Sequence, residues 1–204
     1  MNILLMVLCV ALFPILSPAV HAAEKAYALM NGMQLPFYVY KSYKAPENHY
    51  SPSGWMGDFR DLKFTDRYVD PKNPKGKTVI QIIYTGKSSQ GQGWTGIYWQ
   101  NPQNNWGTQP GGFNLNGASR LVFLARGEKG GEVVEFKMGG ISGNYADSGT
   151  AAVGPINLTK EWKEYRISLE GQELSSISGG FCWTMAKEQN PEGATFYLDN
   201  IRYE

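Results

Sequence analysis

The sequence predicts an all-β fold, an antiparallel two-sheet β-sandwich of the jelly-roll kind with about nine strands and no substantial helix. Three observations carry this reading. Short apolar or alternating runs recur along the chain, each bounded by Gly, Pro, Asn or Asp. No window sustains an i, i+3, i+4 apolar stripe over three turns without meeting a Gly or Pro. The strand-like runs also follow one another without intervening helical segments, which excludes βα alternation and a parallel sheet.

In chain order the runs are "LPFYVY", "LKFTDRY", "KTVIQIIYT", "WTGIYWQ", "SRLVFLARG", "EVVEFKMGG", "EWKEYRISL", "GGFCWTMAK" and "ATFYLDNIRY". In "EVVEFKM" the residues Val134, Phe136 and Met138 alternate with Val133, Glu135 and Lys137, giving one apolar and one charged face. "EWKEYRISL" splits the same way, with Tyr165, Ile167 and Leu169 opposing Trp162, Glu164, Arg166 and Ser168. "VIQIIY" is apolar on both faces apart from Gln81, as expected of a strand with neighbours on either side. The glycine-rich "ARGEKGGE" reads as a hairpin turn between two strands. Repeats, low-complexity tracts and interdomain linkers are absent from the sequence.

The chain opens with "MNILLMVLCVALFPILSPAVHA", an uncharged apolar run ending in a small-x-small pattern. Residues 1–22 therefore read as a signal peptide cut before Ala23, leaving 23–204 as a single β-sandwich domain, secreted or periplasmic. Pro14 and Pro18 interrupt the run, and no second one follows, so no membrane span is expected once the signal is removed. Cys182 is then the only cysteine, which excludes an intrachain disulfide; in "GGFCWTM" it reads as a buried strand residue. With 19 Lys plus Arg against 18 Asp plus Glu, the charge is +1 and gives no electrostatic basis for binding nucleic acid.

Several chemistries lack material. "GQGWTG" satisfies G-x-G-x-x-G, but a polar stretch precedes it and a strand follows, where a dinucleotide site needs a strand before and a helix after. His49 is the single histidine beyond the signal, so a Ser-His-Asp arrangement or a multi-histidine zinc site has almost nothing to draw on. A glycosidase would need two carboxylates facing one cleft; Glu132 and Glu135 fall on opposite faces of their strand, as do Glu161 and Glu164.

The richest segment is "WTGIYWQNPQNNWG". As a strand, it puts Thr95, Ile97 and Trp99 on a core face and Trp94, Gly96, Tyr98 and Gln100 on the other. Trp106 follows in a loop with Asn104 and Asn105. Sugars present apolar C–H faces and hydroxyl edges, so a receptor needs aromatic rings for the first and amide or charged groups for the second. The expected site is Trp94, Tyr98 and Trp106 for stacking, with Gln100, Asn104, Asn105, Arg126 and Glu135 as polar contacts. The opposing reading makes "NPQNNWG" a loop whose Asn side chains cap their own backbone.

The order "GWMGD", "GWTGIYWQNPQNNWG", "LVFLARGEKGGEVVEFKMGGI", "LTKEWKEYRISLEGQELSSISGGF" and "TFYLDNIRYE" resembles bacterial secreted jelly rolls of the galactose-binding-domain-like superfamily, which includes many carbohydrate-binding modules. The resemblance covers most of residues 35–204. It implies non-catalytic binding of a polysaccharide or glycan and a structural calcium ion, with Asp199 at the position of a ligating aspartate. Relatives commonly carry an acid directly after the first strand; here Lys41 stands there, leaving Glu47 and Asp58 as the nearest candidates. The alternatives are a polysaccharide lyase or glycoside hydrolase on the same fold, and a structural or adhesive envelope protein whose platform meets a protein partner.

Overall fold

In the computed structural model, residues 33–73 and 78–204 are described; the expected signal peptide lies outside them. The residues from Leu35 to Glu204 form one compact unit of eleven strands in two antiparallel sheets. The strands are β1 (Phe37–Tyr40), β2 (Ser51–Gly57), β3 (Leu62–Val69), β4 (Thr78–Tyr84), β5 (Trp94–Gln100) and β6 (Arg120–Gly127), followed by β7 (Val133–Gly139), β8 (Thr150–Asn157), β9 (Lys163–Ser168), β10 (Gly179–Ala186) and β11 (Ala194–Tyr203). The only helical element among the described residues is a single 3-10 turn, Phe59–Asp61. All nine expected runs are strands. The two additions are β2, "SPSGWMG", and β8, "TAAVGPIN", whose proline and glycine content hides them from propensity.

One sheet has the order β3-β4-β11-β6-β9, with β1 also pairing to β11. The other has the order β2-β5-β10-β7-β8. β4 is flanked on both sides, as its two-faced apolar pattern required. β6 and β7 lie in different sheets, so "ARGEKGGE" is not a hairpin turn but the crossing from one layer to the other. The apolar alternation of both strands is satisfied equally well either way, which is why the sequence pattern alone misassigned the link.

Between the layers the inner faces interdigitate as rings. Phe123 packs on Phe136 at 4.5 Å and on Phe181 at 5.3 Å, Trp99 on Phe64 at 6.1 Å, and Trp183 on Phe196 at 5.0 Å. Each such ring removed from water contributes on the order of 1.5–3 kcal/mol. Tyr165, Ile167 and Leu169 are buried while Glu164, Arg166 and Ser168 are exposed, so the alternation read from β9 holds.

Arg126, an expected ligand contact, belongs to the outer side of the six-stranded sheet and is buried. Its guanidinium donates Nε to Asp70 Oδ2 at 2.7 Å and Nη2 to Asp70 Oδ1 at 2.9 Å, and it lies 3.8 Å from the centre of the Tyr197 ring. Trp162 donates its indole N–H to the same carboxylate at 2.9 Å. This network ties the 70–73 turn to β6 and β9. Burial alone would raise the Asp70 carboxyl, but Arg126, the Lys72 amide and Trp162 together hold it below the usual carboxylate range.

Replacing Arg126 with Met strands a buried carboxylate, and the expected loss is about 3–5 kcal/mol in urea denaturation. Because the folded-state pKa of Asp70 is depressed, the pair's contribution is present above the unfolded carboxylate value of about 3.9 and is lost as pH falls through the folded value. A stability-versus-pH profile of Asp70→Asn that parallels the parent between neutral pH and strong acid would refute this assignment.

Candidate functional site

Strand register builds the outer face of the five-stranded sheet in rows. Tyr98 of β5 pairs with Gly54 of β2 and Cys182 of β10, and Cys182 pairs in turn with Lys137 of β7. The neighbouring row runs Met56, Gly96, Thr184 and Glu135. Beyond it, Trp94 stands beside Ala186. Paired residues project to the same side of a sheet, so these side chains share one surface.

The row through Tyr98 is covered. Tyr98 is only 3% exposed, which corrects the expectation of an open ring. Trp106 meets it edge-on at 5.8 Å, the Lys137 ammonium lies 5.0 Å from its ring centre, and Ile141 and Cys182 pack around it. Its hydroxyl donates to the Gly139 carbonyl at 3.0 Å, and burial pushes the phenol up, well above its ordinary value. Cys182 is buried beneath, as its sequence setting suggested.

Trp106 is held over Tyr98 by the amides once expected to contact ligand. Gln100, 1% exposed, accepts from Ser53 Oγ at 2.9 Å and donates Nε2 to the Asn105 carbonyl at 3.0 Å. Asn105 is fully buried; its Oδ1 accepts the N–H groups of Gly107 and Thr108 at 3.1 and 3.2 Å, and its Nδ2 donates to the Gln109 carbonyl at 2.9 Å. Gln100 and Asn105 therefore act as loop scaffolding, the Asx-type arrangement of the opposing reading. Asn104, with φ 58°, is exposed at the tip of the loop. Gly107 lets the 140–149 loop close in, since a Cβ there would lie 2.1 Å from the Ser142 carbonyl oxygen. Tyr145 of that loop donates its amide to the Gly107 carbonyl and is 47% exposed, beside the 40% exposed Trp106.

The row through Gly96 is less covered, although Gly96 itself is buried. Glu135 is exposed, and Met56 and Thr184 are half-exposed. A Cβ on Gly96 would strike the Trp183 carbonyl oxygen at 2.5 Å, so glycine keeps this strip low and brings the methyls of Met56 and Thr184 over it. Trp94, 36% exposed, bounds the far side. Four residue steps of strand take the chain from Trp94 to Tyr98, about 13 Å. Across the sheet, the four interstrand spacings from β2 to β8 span about 19 Å.

Trp94 is fixed from behind by Asp58. The Asp58 amide donates to the Trp94 carbonyl at 2.7 Å, and its buried carboxylate accepts the N–H groups of Gln90, Gln92 and Gly93. Burial opposes ionisation, but these three donors and Lys187 hold the carboxyl below its usual range.

The proposed calcium ligands do not converge. Asp58 is committed to its loop, Glu47 pairs with Lys41, and Asp199 Oδ1 accepts the Asn200 amide. Among the described residues no three His, Cys, Asp or Glu side chains stand close enough to hold a metal ion, and calcium needs six to eight oxygens. The residues present do not fit that group.

Of the expected site residues, the structure brings Trp94, Glu135 and Trp106 to one open face, with Tyr98 beneath Trp106 and Asn104 at the loop tip. Met56, Thr184, Lys137 and Tyr145 were missed. Only the adjacency of β10 to β5 and β7 reveals the middle two, and "GNYADSG" carries no periodicity to mark Tyr145.

A two-sheet antiparallel β-sandwich defines the structural class. No protein-family model matches the sequence, and neither does any curated protein. Among solved structures the fold resembles the family 30 carbohydrate-binding module of the cellulosomal cellulase Cel9D-Cel44B of Clostridium thermocellum, at 16% identity and TM-score 0.51 over 84% of this chain and 98% of that one. A second family 30 carbohydrate-binding module matches at 17% identity and TM-score 0.53, over 84% of this chain and 99% of that one. An agarase, AgWH50C, matches at 11% identity and TM-score 0.50 over 83% of this chain but 24% of its own.

Removing the Asp58 carboxylate frees the loop behind Trp94. Asp58→Ala is expected to speed hydrogen exchange at the Gln90, Gln92 and Gly93 amides and to lower the melting temperature. Unchanged protection at those three amides would show that the carboxylate does not hold them.

Proposed function

We propose that this protein binds a polysaccharide or glycan without cleaving it, along the strip Met56–Gly96–Thr184–Glu135 between Trp94 and Trp106. One observation carries the reading: two half-exposed indoles flank a low strip of methyl groups that ends in an exposed carboxylate. The indoles and methyls suit the C–H faces of sugar rings, and Glu135, Lys137 and Asn104 suit their hydroxyls. An open strip crossing several strands favours an extended chain over a single ring. The shared fold with family 30 carbohydrate-binding modules supports the same ligand class. Export fits it as well, with residues 1–22 as the signal and a secreted or periplasmic location.

Binding is tested by affinity electrophoresis in gels carrying a panel of soluble polysaccharides, with Trp94→Ala and Trp106→Ala beside the parent. Each variant is expected to weaken retention about tenfold or more, roughly 1.4 kcal/mol or above. Gln100→Ala should act through loop disorder, lowering the melting temperature as well as retention. Equal retention of both tryptophan variants, or new reducing or unsaturated ends released from the panel, would overturn the reading.

A further inference from the structure

The loops that leave β5 and β7 meet at one end of the five-stranded sheet, where Gln100 and Gly139 close those strands. They touch backbone to backbone. A Cβ on Gly107 would lie 2.1 Å from the Ser142 carbonyl oxygen, and one on Gly143 would lie 2.7 Å from the Gly107 carbonyl oxygen. Both glycines hold positive φ, 77° and 127°, so neither position admits a side chain without strain. The result is a bare seam with an exposed ring beside it on each loop, Trp106 on the first and Tyr145 on the second. We infer that this seam continues the glycan-binding strip, and that Tyr145 is a further contact residue, stacking on a sugar ring of the same polysaccharide chain beyond those on the strip. The inference rests on the outer-face reading proposed above.

Continuity with the strip follows from Trp106. Its indole packs edge-on against Tyr98 at 5.8 Å and so borders the strip, while its chain neighbour Gly107 forms the seam. The Tyr145 amide donates to the Gly107 carbonyl at 3.0 Å, which ties Tyr145 to the residue next to Trp106. Thr108, Ser142 and Asn144, all exposed, accompany the two rings with groups that both donate and accept. Rings beside amides and hydroxyls on a low surface suit the C–H faces and hydroxyl edges of sugars here as they do along the strip. Neither 101–112 nor 140–146 contains a charged residue, so this contact relies on stacking and hydrogen bonds.

Tyr145 is held in place before a ligand arrives. Asp147, two residues on, donates its amide to the Ile141 carbonyl at 2.8 Å, and its carboxylate accepts the amides of Ile141 at 3.0 Å and of Ser178 and Gly179, where β10 begins. Ser178 in turn accepts the Asn101 amide at 3.0 Å, so the two loops share one anchor. Asn105 fixes the Gly107 amide from within the first loop. Little freedom is therefore lost when a chain lands on both rings.

The test uses gels carrying xyloglucan, galactomannan, xylan or soluble starch, followed by calorimetric titration with size-fractionated hydrolysates of the polysaccharide that retards the parent most. In the parent, affinity is expected to rise with fragment length to a plateau. Tyr145→Ala should reach its plateau at a shorter fragment and bind the longest fragments about three- to tenfold more weakly, while the shortest fragments bind as tightly as to the parent. Tyr145→Phe should behave as the parent, because the ring makes the contact. Hydrogen exchange at the amide of position 145 is expected to stay slow in both variants. A Tyr145→Ala protein that matches the parent at every length, or weakens all lengths equally, overturns the inference. So does a Tyr145→Phe protein as weak as Tyr145→Ala, or loss of amide protection together with binding. Retardation abolished in Trp94→Ala but untouched in Tyr145→Ala sinks this inference alone, whereas a parent retarded by none of the gels sinks it together with the outer-face reading.

Discussion

The structure depends on the two-residue alternation of β5 against β10 from Phe181 to Ala186, at the centre of the five-stranded sheet. Trp99, Phe181 and Trp183 must enter the interlayer core, because their rings pack on Phe64, Phe123 and Phe196 of the other sheet. A slip of one residue in either strand would turn those rings to solvent and bring Tyr98, Cys182 and Thr184 inward. Core packing thus fixes which residues remain for the outer face. Trp94, Gly96 and Thr184 stand there as a consequence, at positions no local preference would have selected.

The aromatic and amide residues of 94–107 divide by solvation. A buried amide left without partners costs on the order of 1–3 kcal/mol, so a loop lying over a sheet must satisfy its own polar groups. Gln100 and Asn105 do this, and their burial is the condition under which Trp106 can be held in one place while staying half-exposed. The two readings of this segment exclude each other for the amides but not for the indoles. A ring fixed from below loses little freedom when a ligand lands on it, whereas a free loop would have to be ordered at that moment.

Fold was legible in the sequence wherever the period-two pattern was clean, as in "EVVEFKM" and "EWKEYRISL", where both faces were assigned correctly. It failed for β2 and β8, whose Pro52, Gly54, Gly154 and Pro155 suppress strand propensity and whose pairing to β5 and β7 is supplied by tertiary contacts. Of the candidate site, Trp94, Trp106, Asn104 and Glu135 were legible, being aromatic, amide or charged residues on strands or in the loop after β5. Thr184 and Lys137 entered through strand adjacency, a property of topology. Arg126 was misplaced because "LARG" alternates equally well in either sheet; its bidentate pairing to Asp70, 56 residues away, has no local signature.

The same constraint explains why the open strip lies where it does. The rows of the outer face differ in what the floor allows. At Tyr98 the floor is tall and apolar, and Trp106, Ile141 and Lys137 close over it. At Gly96 a Cβ would collide with backbone, so the floor stays low, and a cover would have to descend into a strip bounded by Glu135, whose carboxylate would then need a new partner. Leaving Glu135 wet is the cheaper arrangement for the free protein. A ligand bearing hydroxyls removes that cost by supplying the donors itself, which is the physical reason a polyhydroxylated chain suits this strip better than an apolar protein surface would.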